Sequence, residues 1–125
     1  MDGRAGGVAI VAALPGDLAS YLGTTVSEVA ISTHYANKIV RSHQINFEDF
    51  VFIQKAIDKG YVLKGRGPKF LEFVLVDDHS GFKHYLLVLK TTKESQEVWI
   101  QTFHRTDTHR LRSKLRKLRL IRTHL

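Results

Sequence analysis

Six side chains of this chain combine the types and positions needed for chemistry on a phosphate. They stand near the ends of two predicted strands or just after a predicted helix, and they are His43, Lys90, Thr92, Thr102, His104 and Arg105. Histidine can act as an acid or a base near neutral pH, and lysine or arginine can stabilise negative charge that develops on phosphorus. Cleavage of RNA without a metal needs such groups, because a base must deprotonate the 2′-hydroxyl and an acid must protonate the leaving 5′-oxygen. We therefore interpret these residues as the candidate catalytic set of a metal-independent endoribonuclease.

Each candidate also has an ordinary structural interpretation, which the sequence leaves open. Lys90 ends an apolar strand and can simply face solvent. Thr92, like its neighbour Thr91, is a residue type that favours strands for reasons of packing. His43 and His104 each lie next to the end of a predicted element, where an imidazole can hydrogen-bond to backbone. The acid–base chemistry and these structural roles predict different results from mutation.

The sequence contains no motif for a metal or a cofactor. It has no cysteine, and its seven histidines form no H-E-x-x-H or comparable set. The segment Gly65-Arg66-Gly67-Pro68 is interpreted as a turn, because proline lacks one of the amides that a phosphate-binding loop would use. We therefore predict neither a cofactor nor a metal site.

The positive charge of the chain is concentrated at its C-terminus. Residues 105–125 carry eight Lys or Arg and one acid, whereas the rest of the chain carries eleven basic and eleven acidic side chains. Leu111, Leu115 and Leu118 recur at helical spacing, which predicts a basic amphipathic helix over residues 106–125. Such a helix attracts a polyanion, so RNA is the first partner that we expect. The candidate nucleic-acid-binding residues are Lys38, Arg41, Arg110, Arg112, Lys114, Arg116, Lys117 and Arg119.

Other partners for the basic segment remain open. A basic amphipathic helix can be a solvated surface, or it can lie on an anionic membrane, although the polar body that precedes it argues against a membrane role. An acidic protein, such as an immunity protein, an antitoxin or a phage structural protein, would present a similar polyanionic surface. The apolar segment Val8–Leu14 is too short to span a bilayer and is a weak secretory signal. Without cysteines to indicate an oxidising compartment, we expect a cytoplasmic protein.

The elements that must position these residues form a single predicted domain of α+β class. Residues 1–7 are predicted as a flexible end, and helices are predicted near Leu18–Leu22, after Ser32 or Thr33, and after Asn46, where Asp49 completes a capping box. The hydrophobic period then changes to two, and short connections favour an antiparallel meander. Its four strands are Tyr61–Lys64, Phe70–Val76, His84–Lys90 and Val98–His104. The prediction is thus N-terminal helices, a four-stranded antiparallel sheet and a C-terminal basic helix.

The chain also resembles a known group of nucleases. Residues 32–43, Ser-Thr-His-Tyr-Ala-Asn-Lys-Ile-Val-Arg-Ser-His, are similar to the "serine, then lysine, then histidine" helix of phage-type domains in the barnase–EndoU–colicin–RelE-like superfamily. The Phe47–Gly60 helix, the strand ending in Lys90-Thr91-Thr92 and the strand Trp99–Arg105 follow in that family's order. The resemblance covers about Val29 to Arg105 and implies a metal-independent RNase or toxin with helices before a four-stranded sheet. The long basic extension after Thr106 departs from the family pattern and leaves a nucleic-acid or protein binder as the alternative.

The resemblance carries family roles onto individual positions. Lys38 and His43 match the helical motif, Lys90 and Thr92 match the third-strand motif, and the last-strand motif is matched by Thr102, His104 and Arg105.

Hairpin geometry predicts that the candidate catalytic residues form two clusters rather than one. His104 would lie about six residues, or ~20 Å, along its strand from the turn near Lys90. We therefore expect Lys90 with Thr92 at one end of the sheet, and His104 with Arg105, and His43 beside them, at the other. Strand alternation places His104 on the same face as Ile100 and Thr102.

Overall fold

The computed structural model describes residues 7–42, 45–64, 67–77, 83–92, 94, 96–107, 110 and 120–122. Their helices are α1 (Gly16–Tyr21), α2 (Thr33–Ser42) and α3 (Val51–Lys59), and a 3₁₀ helix (Phe47–Phe50) leads directly into α3. Their strands are β1 (Val8–Ala13), β2 (Glu28–Ser32), β3 (Tyr61–Lys64), β4 (Phe70–Asp77), β5 (Lys83–Thr91), β6 (Val98–Thr106) and β7 (Leu120–Arg122). These strands form one sheet in the order β1-β2-β6-β5-β4-β3-β7.

The predicted four-stranded antiparallel sheet is wrong, because those four strands are only the centre of a larger mixed sheet. The meander β3–β6 is present with antiparallel pairing throughout. The strands β1 and β2 extend the meander on one side, which gives a sheet of six strands. The three-residue strand β7 pairs with β3 at the other edge. The pairing of β2 with β6 is parallel, with Val29 opposite Val98. Parallel strands need a long crossover, and here the chain between β2 and β6 supplies it.

The predicted order of N-terminal helices before the sheet is also wrong, because a strand comes first. The segment Val8–Ala13 pairs antiparallel with β2, from Val8 opposite Ser32 to Ala13 opposite Glu28. Its sequence, Val-Ala-Ile-Val-Ala-Ala, contains no polar residue, so the apolar–polar alternation that marks a strand is absent. As an edge strand of the sheet it leaves Val8 and Ile10 exposed.

The C-terminal helix predicted over residues 106–125 is wrong at both ends. Thr106 is the last residue of β6, and Leu120–Arg122 form β7, which pairs antiparallel with β3. The ladder with β7 occupies the outer edge of β3, which would otherwise expose unpaired backbone groups. Arg110 is helical, whereas residues 111–119, on which the leucine pattern rests, lie outside the described residues.

The helix starts agree with their predicted caps. Ser32 Oγ accepts the backbone N–H of Tyr35 at 3.0 Å, which makes Ser32 the cap of α2. Before α3, the backbone N–H of Asn46 donates to Asp49 Oδ2 at 2.8 Å. This hydrogen bond is the one that a capping box requires of the residue at N3. No helix in the described part of the chain is both long and apolar enough to cross a membrane.

The described helices pack on one face of the sheet. The covered face contributes Leu71, Phe73, Leu87 and Phe103 to a core shared with the helices. We call the opposite side the open face; it carries the alternate residues of β4, β5 and β6. A second, smaller cluster on that face contains the buried Leu63 and Val74.

A β-bulge in β6 decides which side chains reach the open face. Val88 pairs with Thr102, but its neighbour Leu89 pairs with Ile100, so Gln101 is an extra residue in β6. Ile100 therefore belongs to the core, whereas Thr102 and His104 lie on the open face. The prediction that His104 shares a face with Ile100 is wrong, because uninterrupted alternation does not hold across a bulge.

Candidate functional site on the open sheet face

Three neighbouring strands form a groove on the open face, with a volume of about 360 Å³. Its polar lining is Glu72 from β4 and Gln101, Thr102 and His104 from β6. Phe70, Leu86 and Val88 supply the apolar part. The groove thus brings together two of the predicted catalytic residues, Thr102 and His104, with a carboxylate that the sequence analysis did not select.

Glu72 is the residue that sequence reasoning missed. It stands between the core residues Leu71 and Phe73, and its own side chain lies on the open face with only 3% of its surface exposed. A buried carboxylate is costly unless hydrogen bonds or charges compensate it, so a glutamate inside an apolar strand is a position to test for function. The signal was present in the sequence as the single charge in Phe70–Val76.

Glu72 and Thr102 belong to one row of side chains across the sheet. Glu72 pairs with Val88, and Val88 pairs with Thr102. Their backbones are therefore two strand spacings apart, about 10 Å. His104 stands two residues further along β6, opposite Leu86. Glu72, Thr102 and His104 therefore line one groove from two different strands.

The ring orientation of His104 is fixed through the backbone. Its Nδ1 lies 2.7 Å from the carbonyl oxygen of Arg105. Because a carbonyl oxygen only accepts hydrogen bonds, we assign the proton of this contact to Nδ1. Any proton exchange between His104 and a ligand in the groove therefore takes place at Nε2.

Thr102 is held by a tyrosine from the helix layer. Burial raises the pKa of Tyr35, whose hydroxyl also makes hydrogen bonds with the backbone of Phe103 and the side chain of Thr102. This contact ties α2 to β6 beyond the point where β2 stops pairing with it. Thr102 therefore has a fixed position at the edge of the groove.

Arg105 does not join His104, because adjacent residues of a strand point to opposite faces. Its Nη2 lies on the covered side, 3.1 Å from Asp49 Oδ1. Tyr85 donates its hydroxyl to the same oxygen at 2.7 Å, and the Arg105 guanidinium stands 5.7 Å from the centre of the Tyr85 ring. Asp49 balances the charge of Arg105, so the predicted cluster of His104 with Arg105 is divided between the two faces.

Burial and neighbouring charges shift the pKa values of Asp49 and Tyr85 in this Asp49–Tyr85–Arg105 network. Burial alone would raise the pKa of Asp49, but hydrogen bonds from the Asn46 backbone, Tyr85 and Arg105, with the Arg105 charge, hold that pKa below its usual value. Burial and the hydrogen bond to the Asp49 carboxylate raise the pKa of Tyr85 to about 12. The network joins the 3₁₀ helix to β5 and β6 on the covered side of the sheet.

Lys90 lies on the open face, apart from His104. Lys90 pairs with Trp99, whereas His104 pairs with Leu86. Lys90 and Leu86 are four positions apart along β5, so the Cα atoms of Lys90 and His104 are about 14 Å apart. Thr92 closes the turn after β5, since its hydroxyl accepts the backbone N–H of Gln96 at 3.2 Å. The register thus separates Lys90 and Thr92 from His104, as the hairpin geometry predicted.

The remaining predicted residues are either exposed or undescribed. Lys38 and Arg41 are exposed on α2. Arg110 is also exposed, and its backbone N–H donates to Asp107 Oδ1 at 2.8 Å. The predicted residues that lie outside the described part of the chain are His43, Arg112, Lys114, Arg116, Lys117 and Arg119.

Among the described residues, no group of three or more His, Asp or Glu side chains is arranged to hold a metal ion. The candidate site therefore consists of the groove with Glu72, Thr102 and His104, and Lys90 nearby on the same face.

Comparisons of the chain with protein-family models, with curated proteins and with solved structures gave no match.

Proposed function

We propose that the protein is an endoribonuclease that cleaves single-stranded RNA in the groove of the open face by general acid–base catalysis. The observation that carries this proposal is the placement of a buried carboxylate, Glu72, and an imidazole, His104, in one groove. A pair of unlike titratable groups facing one site supplies both halves of a proton-transfer mechanism. RNA as substrate agrees with the expected cytoplasmic location and with the resemblance to phage-type and toxin nucleases.

The groups have complementary roles in the proposed reaction. Glu72 takes the proton from the 2′-hydroxyl while the 2′-oxygen forms a bond to phosphorus. The bond from phosphorus to the 5′-oxygen breaks, and Nε2 of the His104 imidazolium donates its proton to that oxygen. The products are a 2′,3′-cyclic phosphate and a 5′-hydroxyl. Transfer of a proton from Glu72 to water, and from water to His104, restores the starting state.

Other side chains of the open face would stabilise the charge on phosphorus. Gln101 and Thr102 supply hydrogen-bond donors at the groove. Lys90 pairs with Phe70, so it is the diagonal neighbour of Glu72, about 7–8 Å away between Cα atoms. A lysine side chain reaches across this distance to a phosphate bound beside Glu72. In this arrangement Lys90 contributes without lying close to His104.

The experiment that tests the proposal is incubation of the purified protein with labelled oligoribonucleotides in EDTA. We expect cleavage fragments that end in a 2′,3′-cyclic phosphate. A single 2′-deoxy substitution should block cleavage at that nucleotide only, because it removes the attacking oxygen. The absence of cleavage across several RNAs, including tRNA, would contradict the proposal, as would cleavage that continues at the 2′-deoxy position.

Nucleic-acid binding without cleavage is the second candidate function. It is favoured by the eight Lys or Arg of residues 105–125, which account for the net charge of +7. Binding through these charges would weaken with salt, because each neutralised phosphate releases condensed counterion. An acidic protein partner, such as an immunity protein or antitoxin, would bind to the same charges.

Substitution of three basic residues tests this second function without removing β7. The combined Arg112→Gln, Lys114→Gln and Arg116→Gln variant should bind RNA more weakly. The slope of log K against log salt should become shallower by about 0.7 for each lost contact with a single strand. Fluorescence anisotropy with a labelled RNA measures both effects, and Lys55→Gln, Lys59→Gln and Lys64→Gln together provide the charge-matched control. Equal affinity and slope in the two triple variants would exclude the basic segment as the RNA contact.

A further inference from the structure

A row of two aromatic rings and one cation crosses the open face next to the groove. Phe70 of β4 pairs with Lys90 of β5, and Lys90 pairs with Trp99 of β6. Their chain neighbours Leu71, Leu89 and Ile100 belong to the core on the covered side. The side chains of Phe70, Lys90 and Trp99 therefore lie on the open face, and we call them the aromatic row.

The contacts within the aromatic row hold its side chains in place. Lys90 Nζ lies 5.7 Å from the centre of the Phe70 ring, a distance at which a cation is attracted to an aromatic face. Trp99 Nε1 donates to Glu97 Oε1 at 3.0 Å, which fixes the indole orientation. Phe70 and Trp99 are both half-buried, and Lys90 is exposed. Aromatic rings that are partly exposed beside a cation match the chemistry of a nucleotide, which offers a base to stack and a phosphate to neutralise.

The aromatic row is placed to bind the nucleotide next to a cleaved bond. Phe70 also lines the groove, and the adjacent row of the sheet contains Glu72 and Thr102. The two rows are two residues apart along β4 and β5, about 7 Å, and three residues apart along β6, where Gln101 is the bulge residue. A single strand of RNA lying across β4, β5 and β6 would therefore contact both rows.

The distribution of charge orients such a strand. Glu28 and Glu97 line a depression beside Trp99, so a phosphate is disfavoured there. Lys90, between the two rings, is the described cation nearest to the groove on this face. A phosphate is thus favoured beside Lys90 and an uncharged base over Trp99.

We infer that the aromatic row is a nucleotide subsite of the open face, in which Lys90 binds a phosphate and the Phe70 and Trp99 rings stack with bases of a single strand. The direction of the bound strand in this inference rests on the proposed function, whereas binding of the strand does not require cleavage. The ligand class is single-stranded nucleic acid, and the subsite tolerates different bases because every base presents a face that can stack.

The single tryptophan of the chain makes the subsite directly observable, because Trp99 is its own fluorescent reporter. The full chain is titrated with a short deoxythymidine oligonucleotide, which lacks the 2′-hydroxyl and so remains uncleaved. We expect saturable quenching of Trp99 fluorescence as a base stacks on the indole. Free thymidine, without the phosphates, should quench far less at the same concentration. No change in Trp99 fluorescence at oligonucleotide concentrations that saturate binding by anisotropy would overturn the inference.

Two substitutions separate stacking from charge. Phe70→Leu should weaken binding roughly tenfold, as expected for loss of one stacked base. Lys90→Gln should weaken binding. It should also make the slope of log K against log salt shallower, by the amount expected for about one lost phosphate contact. Phe47→Leu and Lys59→Gln are matched controls, since both residues are exposed on the helical elements away from the open face. Thermal unfolding of each variant confirms that it is folded before affinities are compared.

The outcome for the subsite is independent of the outcome for cleavage. Binding that quenches Trp99 and depends on Phe70, in a protein that cleaves no RNA, would support the subsite and contradict the proposed enzyme. RNA cleavage with the same KM in Phe70→Leu as in Phe47→Leu would support the enzyme and overturn the subsite. A KM that rises in Phe70→Leu while kcat changes little would support both.

Discussion

Replacement of Glu72 by glutamine is expected to slow RNA cleavage by about 100- to 10,000-fold, the usual contribution of a general acid or base. Glutamine keeps the size of the side chain that lines the groove, but its amide does not accept the proton of a 2′-hydroxyl. The rate is measured under single-turnover conditions with a labelled oligoribonucleotide in EDTA. His104→Gln should cause a loss of similar size, because the leaving 5′-oxygen is then not protonated.

Two exposed residues provide the controls for these substitutions. Glu48 lies on the 3₁₀ helix and His34 lies on α2, both outside the groove. Glu48→Gln and His34→Gln should cleave at the rate of the unsubstituted protein. Thermal unfolding of each variant separates an effect on catalysis from an effect on folding. Unchanged cleavage by Glu72→Gln would contradict the assignment of this residue as the base.

The largest effect on stability is expected from Asp49→Asn, which should lower the free energy of unfolding by about 2–4 kcal/mol. The carboxylate accepts hydrogen bonds from Tyr85, from Arg105 and from the backbone of Asn46. An asparagine amide offers one acceptor in place of two and leaves the partly buried Arg105 without its counter-charge. Urea unfolding measures the change. Asp58→Asn, at an exposed position on α3, is the matched control and should change stability by less than about 0.5 kcal/mol.

The same carboxylate predicts how stability depends on pH. The pKa of Asp49 is lower in the folded protein than its usual value, so its ionised form stabilises the fold. This contribution is present above the usual pKa of an aspartate and is lost as the pH falls through the lowered one. The stability difference between the unsubstituted protein and Asp49→Asn should therefore shrink in acid. A difference that is constant with pH would contradict an electrostatic role for Asp49.

The parts of the fold that depend on local pattern could be predicted from the sequence. The central strands β3–β6 are short runs rich in β-branched, aromatic and other apolar residues, and short connections join them in the observed order. Ser32 before α2 and Asn46 with Asp49 before α3 are caps whose partners lie three residues away. Contacts over so short a range depend on the identities of neighbouring residues, which a sequence displays directly.

The parts that depend on distant partners could not be predicted in this way. The parallel contact of β2 with β6 and the addition of β7 to β3 join segments far apart in the chain. Arg105 was selected for its charge, but its partner Asp49 precedes it by 56 residues. No local pattern indicates that this charge is already balanced.

The candidate site shows the same division between residue type and residue placement. His104 and Thr102 were selected by type, but the bulge at Gln101 determines that they share a groove with Glu72. Glu72 could have been selected as the lone carboxylate of an apolar strand. Its burial, and its place in the same groove as His104 on another strand, are visible only in the structure.

The measurement that tests the central claim most directly is the rate of RNA cleavage in EDTA by Glu72→Gln, His104→Gln and the variant with both substitutions. If the two side chains act in one reaction step, the double variant should be about as slow as the slower single variant, because groups that act as a unit are not additive. Single-turnover rates on one oligoribonucleotide give this comparison without effects of product release. Losses that multiply in the double variant would show two independent contributions. Rates equal to that of Glu48→Gln in all three variants would contradict catalysis by the groove.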